Sequence, residues 1–332
     1  SLLQDSWEEK SLKERMRAIS IALNKFLSSK QINLKIEILK KTANDMRRDK
    51  SSSLAFIVFP DFVEQFCDEK EFDLAINSLE FFTEFGSSEF AMRKFIEINQ
   101  DEAFKYLEKF SKSKNYHIRR LASECCRPLL PWGNVLQNLK KNPTPILKIL
   151  ENLKFDDELY VRKSVANNLN DISKNNPELV LTLLEKWKKE NVAEFIIKHA
   201  LRTLLKKGDT KALFLIGIKN DEKEQNYVIK DFYLEKPQVN LNNYLNFRFD
   251  LENFKSNNKI RTEYAIFFRK NNGSLSKKIF QITTKNFEKG VFKISKKHLF
   301  KDFTTRKHYI GEHFISLIVN GLEIEKIKFD LI

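Results

Sequence analysis

Charged and aromatic side chains of the kinds used in binding and catalysis are concentrated in the segment His117–Trp132 (HIRRLASECCRPLLPW). On a helical wheel, Arg120 and Glu124 lie one turn apart on one side. The apolar positions that a neighbouring helix can cover lie on the other side: Ile118, Ala122 and Cys126. The helix is expected to end before Pro128, with Trp132 following on an extended segment close to Glu124. A cation, an anion and an aromatic ring are thus predicted near one helix end, although a surface ion pair beside a core tryptophan is the simpler explanation.

The same design recurs roughly forty residues later in Tyr160–Pro177 (YVRKSVANNLNDISKNNP). Its predicted buried stripe is Val161, Val165, Leu169 and Ile172. The residues predicted to face away from that stripe are Lys163, Asn167, Asn170 and Lys174, with Asp171 at the edge of the polar face. Further copies are found in Ala193–Lys207 and, more faintly, in Ser88–Ile98. Helical units that recur at this period indicate a HEAT-like solenoid, in which each unit buries its apolar face against its neighbours.

The pattern changes beyond Asn220. Apolar and polar residues alternate from Leu245 to Glu252, which predicts a strand with one solvated face. The further predicted strands are Thr262–Arg269, Lys277–Thr284, Val291–Ser295, Glu312–Asn320 and Glu325–Leu331. Short strands at regular spacing favour an immunoglobulin-like β-sandwich, here without the usual disulfide. The sequence therefore predicts a multidomain protein, an all-α HEAT-like helical solenoid over residues 1–230 followed by an all-β Ig-like sandwich over residues 235–332.

The charge balance indicates a polyanionic partner. The 332 residues carry a net charge of +14, with a pI near 9.4, which suggests nucleic acid, although a lysine-rich soluble protein would look similar. No run of eighteen apolar residues and no signal peptide is visible, so we expect a cytoplasmic protein that does not enter a membrane. Three cysteines, two of them adjacent, suit neither a disulfide framework nor a zinc site. We expect reduced, buried thiols, with no metal and no cofactor.

Four runs, in order and spacing as well as content, resemble the AlkC family of bacterial DNA alkylation repair glycosylases. They are SSEFAMR (Ser87–Arg93), RRLASE with RPLLPW (Arg119–Trp132), VRKSVANNLNDISK (Val161–Lys174) and IIKHALRTLLKKGD (Ile196–Asp209). The resemblance is strong over about residues 75–220 and returns near the C-terminus. There, TTRKHYIGEH (Thr304–His313) is similar to the Ig-like domain of a subset of AlkC proteins.

The resemblance implies a glycosylase that releases small cationic bases such as 3-methyladenine and 3-methylcytosine from double-stranded DNA in base excision repair, without base flipping. Cleavage of the N-glycosidic bond requires carboxylates near a sugar that becomes positively charged, and aromatic surface beside the base. By resemblance, the family's three active-site acids are Glu89, Glu124 and Asp171. Trp132 corresponds to the aromatic residue at the lesion and Arg120 to an arginine beside it. Leu129 departs from the family, which usually has a second arginine in that motif.

Basic side chains along the helices are expected to contact phosphates. The predicted DNA-binding residues of the solenoid are Arg93, Arg119, Arg127, Arg162, Lys163, Lys198, His199 and Arg202. In the second domain, we expect the loop Thr304–Gly311 to enter the minor groove through Arg306, Lys307 and His308. The protein is expected to act on alkylated duplex DNA as a monomer.

Two other classes of protein stay open. A non-catalytic HEAT-repeat DNA-binding scaffold would keep the basic charge but would not need three acids. A HEAT-repeat adaptor for proteins would explain the architecture but not the net charge of +14. A nuclease is disfavoured because the basic region lacks clustered metal-binding acids, and a hydrolase with a serine or cysteine nucleophile because no such motif accompanies the histidines.

Overall fold

The computed structural model describes residues 7–48, 53–218, 226–302 and 307–332. By its internal contacts the chain divides into two compact units, Ser1–Leu201 and Arg202–Ile332. The described part of the first unit is helical and the second contains the strands, so the predicted order of an α-helical part followed by an all-β part is confirmed. The contacts group the last two helices with the strands, whereas the repeat pattern assigns them to the solenoid. The domain limits 1–230 and 235–332 stay a prediction.

Twelve α-helices lie in the described part of the first unit. They are α1 (Leu12–Phe26), α2 (Ile32–Arg48), α3 (Val58–Phe66), α4 (Phe72–Phe82), α5 (Ala91–Ile98), α6 (Gln100–Phe110), α7 (Tyr116–Glu124), α8 (Gln137–Lys141), α9 (Thr144–Leu153), α10 (Leu159–Ile172), α11 (Pro177–Lys189) and α12 (Glu194–Ala200). Short 3₁₀ helices cover Trp7–Glu9, Ser53–Ile57 and Glu69–Glu71. The helices that carry the repeats pack in series, because α10 contacts both α7 and α12.

Local chemistry explains the limits of α7. Asn115 precedes it, and its side-chain oxygen accepts a hydrogen bond of 2.9 Å from the backbone N–H of His117, which satisfies a donor that the helix leaves free. The helix ends at Glu124, before Pro128, as predicted. Glu124 therefore lies in the last turn of α7, next to the irregular segment that leads to Trp132.

The predicted apolar stripe of α10 is confirmed, because Val161, Val165, Leu169 and Ile172 are all buried. The prediction that Asn170 faces away from this stripe to the outside is wrong, since Asn170 is buried. Asp171, predicted at the edge of the polar face, is also buried. Asn168, on the same stretch, donates a hydrogen bond of 2.8 Å to the backbone carbonyl of Ser123 in α7. Because α7 and α12 both pack against α10, they enclose part of its polar side as well as its apolar stripe.

The second unit begins with α13 (Arg202–Lys206) and α14 (Thr210–Leu215). Its eight described strands are β1 (Tyr227–Leu234), β2 (Gln238–Val239), β3 (Tyr244–Asn253), β4 (Asn258–Arg269), β5 (Leu275–Phe287), β6 (Gly290–Leu299), β7 (Gly311–Val319) and β8 (Leu322–Leu331). They form a three-stranded sheet of order β1-β3-β6 and a five-stranded sheet of order β2-β8-β7-β4-β5. All pairs are antiparallel except β2 with β8.

Inward-facing residues of both sheets form a single hydrophobic core, with Phe247 and Phe249 from β3 and Ile315 and Phe329 from β7 and β8. The burial of β3 alternates along its length, as the sequence predicts. The turn between β7 and β8 also contacts the helical segment of this unit: a Cβ atom on Gly208 would lie 2.7 Å from the carbonyl oxygen of Gly321. That close approach explains why α13 and α14 group with the strands.

The alternation in the sequence predicts strands within β3 to β8 but not β1 or β2. In β1, the pairing with β3 shifts between Lys230 and Tyr233, and Asp231 has a left-handed φ of 51°. A bulge of this kind interrupts the period of two on which the prediction depends. β2 has only two residues, too few to show a period.

Candidate functional site

The structure brings the three predicted acids into one group of ion pairs. Glu89 lies in the turn before α5, Glu124 at the end of α7 and Asp171 near the end of α10. Arg120 and Arg127 lie between them and contact all three carboxylates. We call these five residues, Glu89, Arg120, Glu124, Arg127 and Asp171, the acid cluster.

Arg120 joins the first two acids. Its guanidinium contacts the Glu89 carboxylate and donates a hydrogen bond of 2.8 Å to the hydroxyl of Ser87. The other terminal nitrogen, Nη2, is 3.4 Å from Oε1 of Glu124, the predicted i,i+4 pair. The guanidinium also lies 5.0 Å from the ring centroid of Tyr160. Arg120 therefore fills the space between two carboxylates and an aromatic ring.

Arg127 joins the second and third acids. Its Nη1 lies 2.6 Å from Oε1 of Glu124, and its Nε lies 2.8 Å from Oδ2 of Asp171. Burial alone would lower the pKa of Arg127, but the carboxylates of Glu124 and Asp171 outweigh it and raise that pKa. The pKa of Arg120 is raised in the same way by Glu124 and Glu89 against the effect of burial. Both arginines therefore stay charged at neutral pH.

The three carboxylates differ in how many of their oxygens accept hydrogen bonds. The second carboxylate oxygen of Glu124 accepts a hydrogen bond of 2.6 Å from Ser164, and that of Asp171 accepts one of 2.8 Å from Lys174. In the described part of the chain, by contrast, no hydrogen bond reaches Oε1 of Glu89. The side chain of Glu89 is 14% exposed and that of Asp171 is 2% exposed. Glu89 is therefore the acid best placed to meet a water molecule or a substrate.

Trp132 lies outside the acid cluster in a turn with a left-handed φ of 65°, so the predicted extended segment is wrong. Its ring is not a core residue, since Trp132 is 82% exposed. The side chain of Lys13, from α1, donates a hydrogen bond to the backbone carbonyl of Trp132. An exposed indole held on a strained backbone is available for a ligand rather than for the hydrophobic core.

Two arginines predicted to bind DNA are instead internal. Arg93 is only 1% exposed, and its guanidinium donates to the backbone carbonyls of Cys125, Arg127 and Asn134. Arg93 thereby holds the segment that follows α7 in place. It lies on the buried side of α5. Arg127 is used within the acid cluster. Both guanidinium groups are buried and bonded inside the protein, so the predictions of Arg93 and Arg127 as DNA contacts are corrected.

The other residues of the solenoid that are predicted to contact DNA differ in their exposure and in their partners within the protein. Lys163 is exposed, and Lys198 is 3.0 Å from Glu194 in a partly exposed pair. The other positions are partly buried: Arg119 pairs with Asp156, Arg162 lies 5.4 Å from the ring of Phe195, His199 lies 2.7 Å from Asn167, and Arg202 begins α13. Lys163 is therefore the clearest candidate for a phosphate contact.

The loop of the second unit is described only in part. Thr304, Thr305 and Arg306 lie outside the described residues. Lys307 is exposed, as a DNA contact requires. The side chain of His308 is only 2% exposed and packs against the rings of Phe268 and Phe300, so its prediction as a DNA contact is wrong.

Sequence reasoning missed several residues that complete the site. Ser164 donates a hydrogen bond to Glu124, and Lys174 donates one to Asp171. Lys13 donates a hydrogen bond to the backbone carbonyl of Trp132. Tyr160 forms an aromatic group with Tyr116 and His117 beside Arg120. Only Tyr160 carries a signal in the sequence, since it is the first residue of the repeat Tyr160–Pro177. The others come from distant parts of the chain and share no local pattern with the acids.

Other kinds of site find little support in the described residues. There, no group of three or more His, Cys, Asp or Glu side chains is arranged to hold a metal ion. The same part of the chain contains no helix long and apolar enough to cross a membrane. The three cysteines are free and buried, as predicted, and burial raises the pKa of the Cys67 and Cys126 thiols to about 12.

Comparisons with known proteins extend this picture to the whole chain. A family model described as "DNA alkylation repair enzyme" matches residues 83–204, which include the acid cluster. A second, described as "Uncharacterised protein YhaZ, C-terminal Ig-like domain", matches residues 228–332.

The protein YhaZ of Bacillus subtilis (strain 168) is 41% identical over 333 residues, covering 100% of this chain and 90% of the relative. The solved structure of the Pseudomonas fluorescens alkylpurine DNA glycosylase AlkC, bound to DNA containing an abasic site analogue, matches with a TM-score of 0.90 and 33% identity. That match covers 98% of this chain and 89% of AlkC. With similarity that spans both units, the chain belongs to the AlkC family of DNA alkylation repair proteins, with the C-terminal Ig-like domain.

Proposed function

We propose that this protein is a DNA glycosylase that hydrolyses the N-glycosidic bond of small cationic N-alkylated bases, 3-methyladenine and 3-methylcytosine, in duplex DNA. The observation that carries the proposal is the acid cluster, in which Glu89, Glu124 and Asp171 meet around the partly buried Arg120 and the buried Arg127. The similarity to a protein described as an alkylpurine DNA glycosylase supports the same reaction class.

The chemistry of the substrate explains why carboxylates are sufficient. An N-alkylated base is already positively charged, so it leaves without being protonated by the enzyme. As the bond breaks, its electron pair moves to the base, which becomes neutral, and the positive charge moves to the sugar. Carboxylates near the sugar stabilise that charge in the transition state. A neutral base such as uracil lacks this activation and is expected to resist.

The geometry suggests different roles for the acids. Oε1 of Glu89 accepts no hydrogen bond from the residues that the structure describes. Glu89 therefore accepts the proton of the water that attacks the sugar carbon. Glu124 and Asp171, held by Arg127, Ser164 and Lys174, supply fixed negative charge. Fixed charges need no reorganisation during the reaction, which is the main source of electrostatic catalysis.

The protein's charge suits a DNA partner. The net charge of +14 favours binding to phosphates, and Lys163 presents an exposed ammonium on α10. In the Ig-like domain, the loop Thr304–Gly311 carries Arg306 and Lys307, which we place in the minor groove. The protein is expected to act as a monomer in the bacterial cytoplasm, as part of base excision repair. The family resemblance suggests that the base stays in the duplex until the bond breaks.

The test is to incubate the full-length protein with duplex DNA that contains 3-methyladenine or 3-methylcytosine, and to measure released bases and abasic sites. A uracil-containing duplex of the same sequence is the matched substrate control. Release of the methylated bases without release of uracil is expected. If DNA is bound but neither methylated base is released, the protein is a non-catalytic DNA-binding scaffold. Efficient release of uracil would contradict the proposed mechanism.

A further inference from the structure

Lys174 is a third cation in contact with the acid cluster. It follows the last turn of α10, and its Nζ lies 2.8 Å from Oδ1 of Asp171. The other oxygen of that carboxylate, Oδ2, is held by Nε and Nη2 of Arg127. Each oxygen of Asp171 therefore has its own cationic partner. Removal of the Lys174 ammonium would free Oδ1, while Arg127 would still keep the carboxylate in place.

The charges of this group cancel only when Lys174 is included. The acid cluster contains three carboxylates and two arginines, which leaves one negative charge, and the ammonium of Lys174 cancels it. Nearby Arg93 and Glu97 carry opposite charges and leave this sum unchanged. A neutral group of side chains stabilises a developing positive charge on the sugar less well than a negative group does. In its present position, Lys174 thus opposes the role proposed for the carboxylates.

Of the three cations, Lys174 is the most exposed to solvent. Its side chain is 37% exposed, compared with 14% for Arg120 and 6% for Arg127. Moving a buried arginine would leave an unpaired charge inside the protein, whereas an ion pair at the surface is weak and can be exchanged. The flexible four-carbon chain and compact ammonium of a lysine permit such a movement. Of these cations, Lys174 is therefore the one that a bound anion can draw away.

The position of Lys174 relative to α10 indicates which anion this is. Lys163, the exposed residue proposed to contact a phosphate, lies eleven positions earlier in the chain. On a helical wheel the two lysines are within about 20° of each other, and they are separated by about 16 Å along the axis. A DNA strand presents several phosphates over such a distance. A strand that contacts Lys163 therefore also brings phosphates towards Lys174.

From these observations we infer that Lys174 leaves Asp171 for a DNA phosphate when duplex DNA binds, an inference that rests on the proposed function. Nζ loses its contact with Oδ1 and gains one with a phosphate oxygen, and no proton is transferred. The exchange leaves the acid cluster with one net negative charge and frees Oδ1 to face the substrate. Lys174 acts through Asp171 and does not itself contact the reacting atoms. In the protein without DNA, its ammonium compensates a carboxylate that would be costly to bury with an unpaired oxygen.

The first measurement is the affinity of the full-length protein for unmodified duplex DNA at several salt concentrations. Lys174→Met should reduce the slope of log affinity against log salt concentration by about 0.9, because one phosphate contact is lost. The control is Lys105→Met, which should keep the wild-type slope. Lys105 also pairs with an acid three residues earlier, at 2.6 Å from Glu102, but α6 carries no residue of the acid cluster. An unchanged slope in Lys174→Met overturns the inference.

The second measurement is single-turnover release of 3-methyladenine at saturating DNA. Lys174→Met should release the base about two- to fivefold faster than the wild type, since no ammonium then cancels the charge of Asp171. Lys174→Arg should release it roughly tenfold more slowly, because a guanidinium makes a forked contact with a carboxylate and gives it up less readily. A purely structural role for Lys174 predicts the reverse order of rates, and that order overturns the inference.

Thermal unfolding shows whether both variants fold. Should Lys174→Met prove unstable, the rate of Lys174→Arg decides alone, and a rate equal to that of the wild type overturns the inference. If the wild type releases methylated bases but the slope or the order of rates is not as expected, only the exchange of Lys174 falls. If the wild type binds DNA but releases no methylated base, the proposed glycosylase activity falls. The salt slope then still supports or overturns the contact between Lys174 and a phosphate.

Discussion

The Nε and Nη2 atoms of Arg127 both lie 2.8 Å from Oδ2 of Asp171, a residue 44 positions later in the chain. Arg127 also reaches Glu124, three residues before it, at 2.6 Å. One buried guanidinium thus links the end of α7 to the end of α10. This link makes Arg127 the residue on which the spacing of the two acids depends.

We predict that Arg127→Leu destabilises the protein by about 3–5 kcal/mol, because two buried carboxylates lose their shared partner. Arg127→Lys should be less harmful to stability but should still impair base release, since one ammonium cannot make the forked contact to both acids. Urea unfolding gives the stability and single-turnover base release gives the activity. An Arg127→Leu protein as stable as the wild type would show that the acids are not held together by this residue.

The acids themselves are expected to act on the chemical step. Glu89→Gln, Glu124→Gln and Asp171→Asn should each lower base release by on the order of 10²–10³, with DNA affinity unchanged or slightly increased. Exposed Glu185, outside the acid cluster, provides the control Glu185→Gln, which should have no effect. Release at the wild-type rate by all three variants would mean that the carboxylates are only structural.

Exposure separates two basic residues that the sequence treats alike. Lys163→Ala should reduce the slope of log affinity for DNA against log salt concentration by about 0.9, whereas Lys163→Arg should preserve it. Arg93→Ala should leave that slope unchanged but destabilise the fold, since three backbone carbonyls lose their buried donor. DNA-binding titrations at several salt concentrations measure the slopes. A flattened slope for Arg93→Ala with normal stability would contradict the structural role.

In the loop of the Ig-like domain, Lys307 and His308 also differ in exposure. Lys307→Ala should weaken DNA binding modestly and lower the salt slope, because its exposed charge is proposed to lie in the minor groove. His308→Ala should instead destabilise the second unit, because it removes a ring packed between Phe268 and Phe300. Binding titrations and thermal unfolding separate the two effects. Unchanged DNA affinity in Lys307→Ala would remove this residue from the interface.

A buried histidine should make the second unit sensitive to acid. Burial lowers the pKa of His313 below its usual 6.5, despite the hydrogen bond between its Nδ1 and the carbonyl of Gly311. As the pH falls through 6.5 towards the lowered value, the unfolded chain takes up a proton that the folded chain does not. The contribution of His313 to stability is therefore present above pH 6.5 and decreases below it.

The test compares the wild-type protein with His313→Phe, which keeps a ring but cannot titrate. Denaturation is followed by NMR signals of β7 at several pH values above and below 6.5, the usual pKa of histidine. The wild-type protein should lose more stability than the variant as the pH is lowered. Parallel losses in the two proteins would show that His313 does not set this dependence.

Much of the fold follows from the sequence because the relevant signals are local. The period of the apolar residues in α10 predicts its buried stripe, and the alternation in β3 predicts its inward face. Pro128 predicts the end of α7. Motifs shared with a family point to Glu89, Glu124 and Asp171, but the spacing of these residues along the chain does not itself show that they meet.

Only the tertiary structure decides which charged residues face a partner and which are used inside. A helical wheel distinguishes an apolar side from a polar one, but it does not show what covers the polar side. Arg93 and Arg127 look like DNA contacts in the sequence, yet packing against distant segments gives them backbone carbonyls and carboxylates as partners. The sequence leaves open whether Trp132 is a core residue or an aromatic at the lesion, and a left-handed turn exposes it. These outcomes depend on contacts between residues far apart in the chain, for which no local pattern exists.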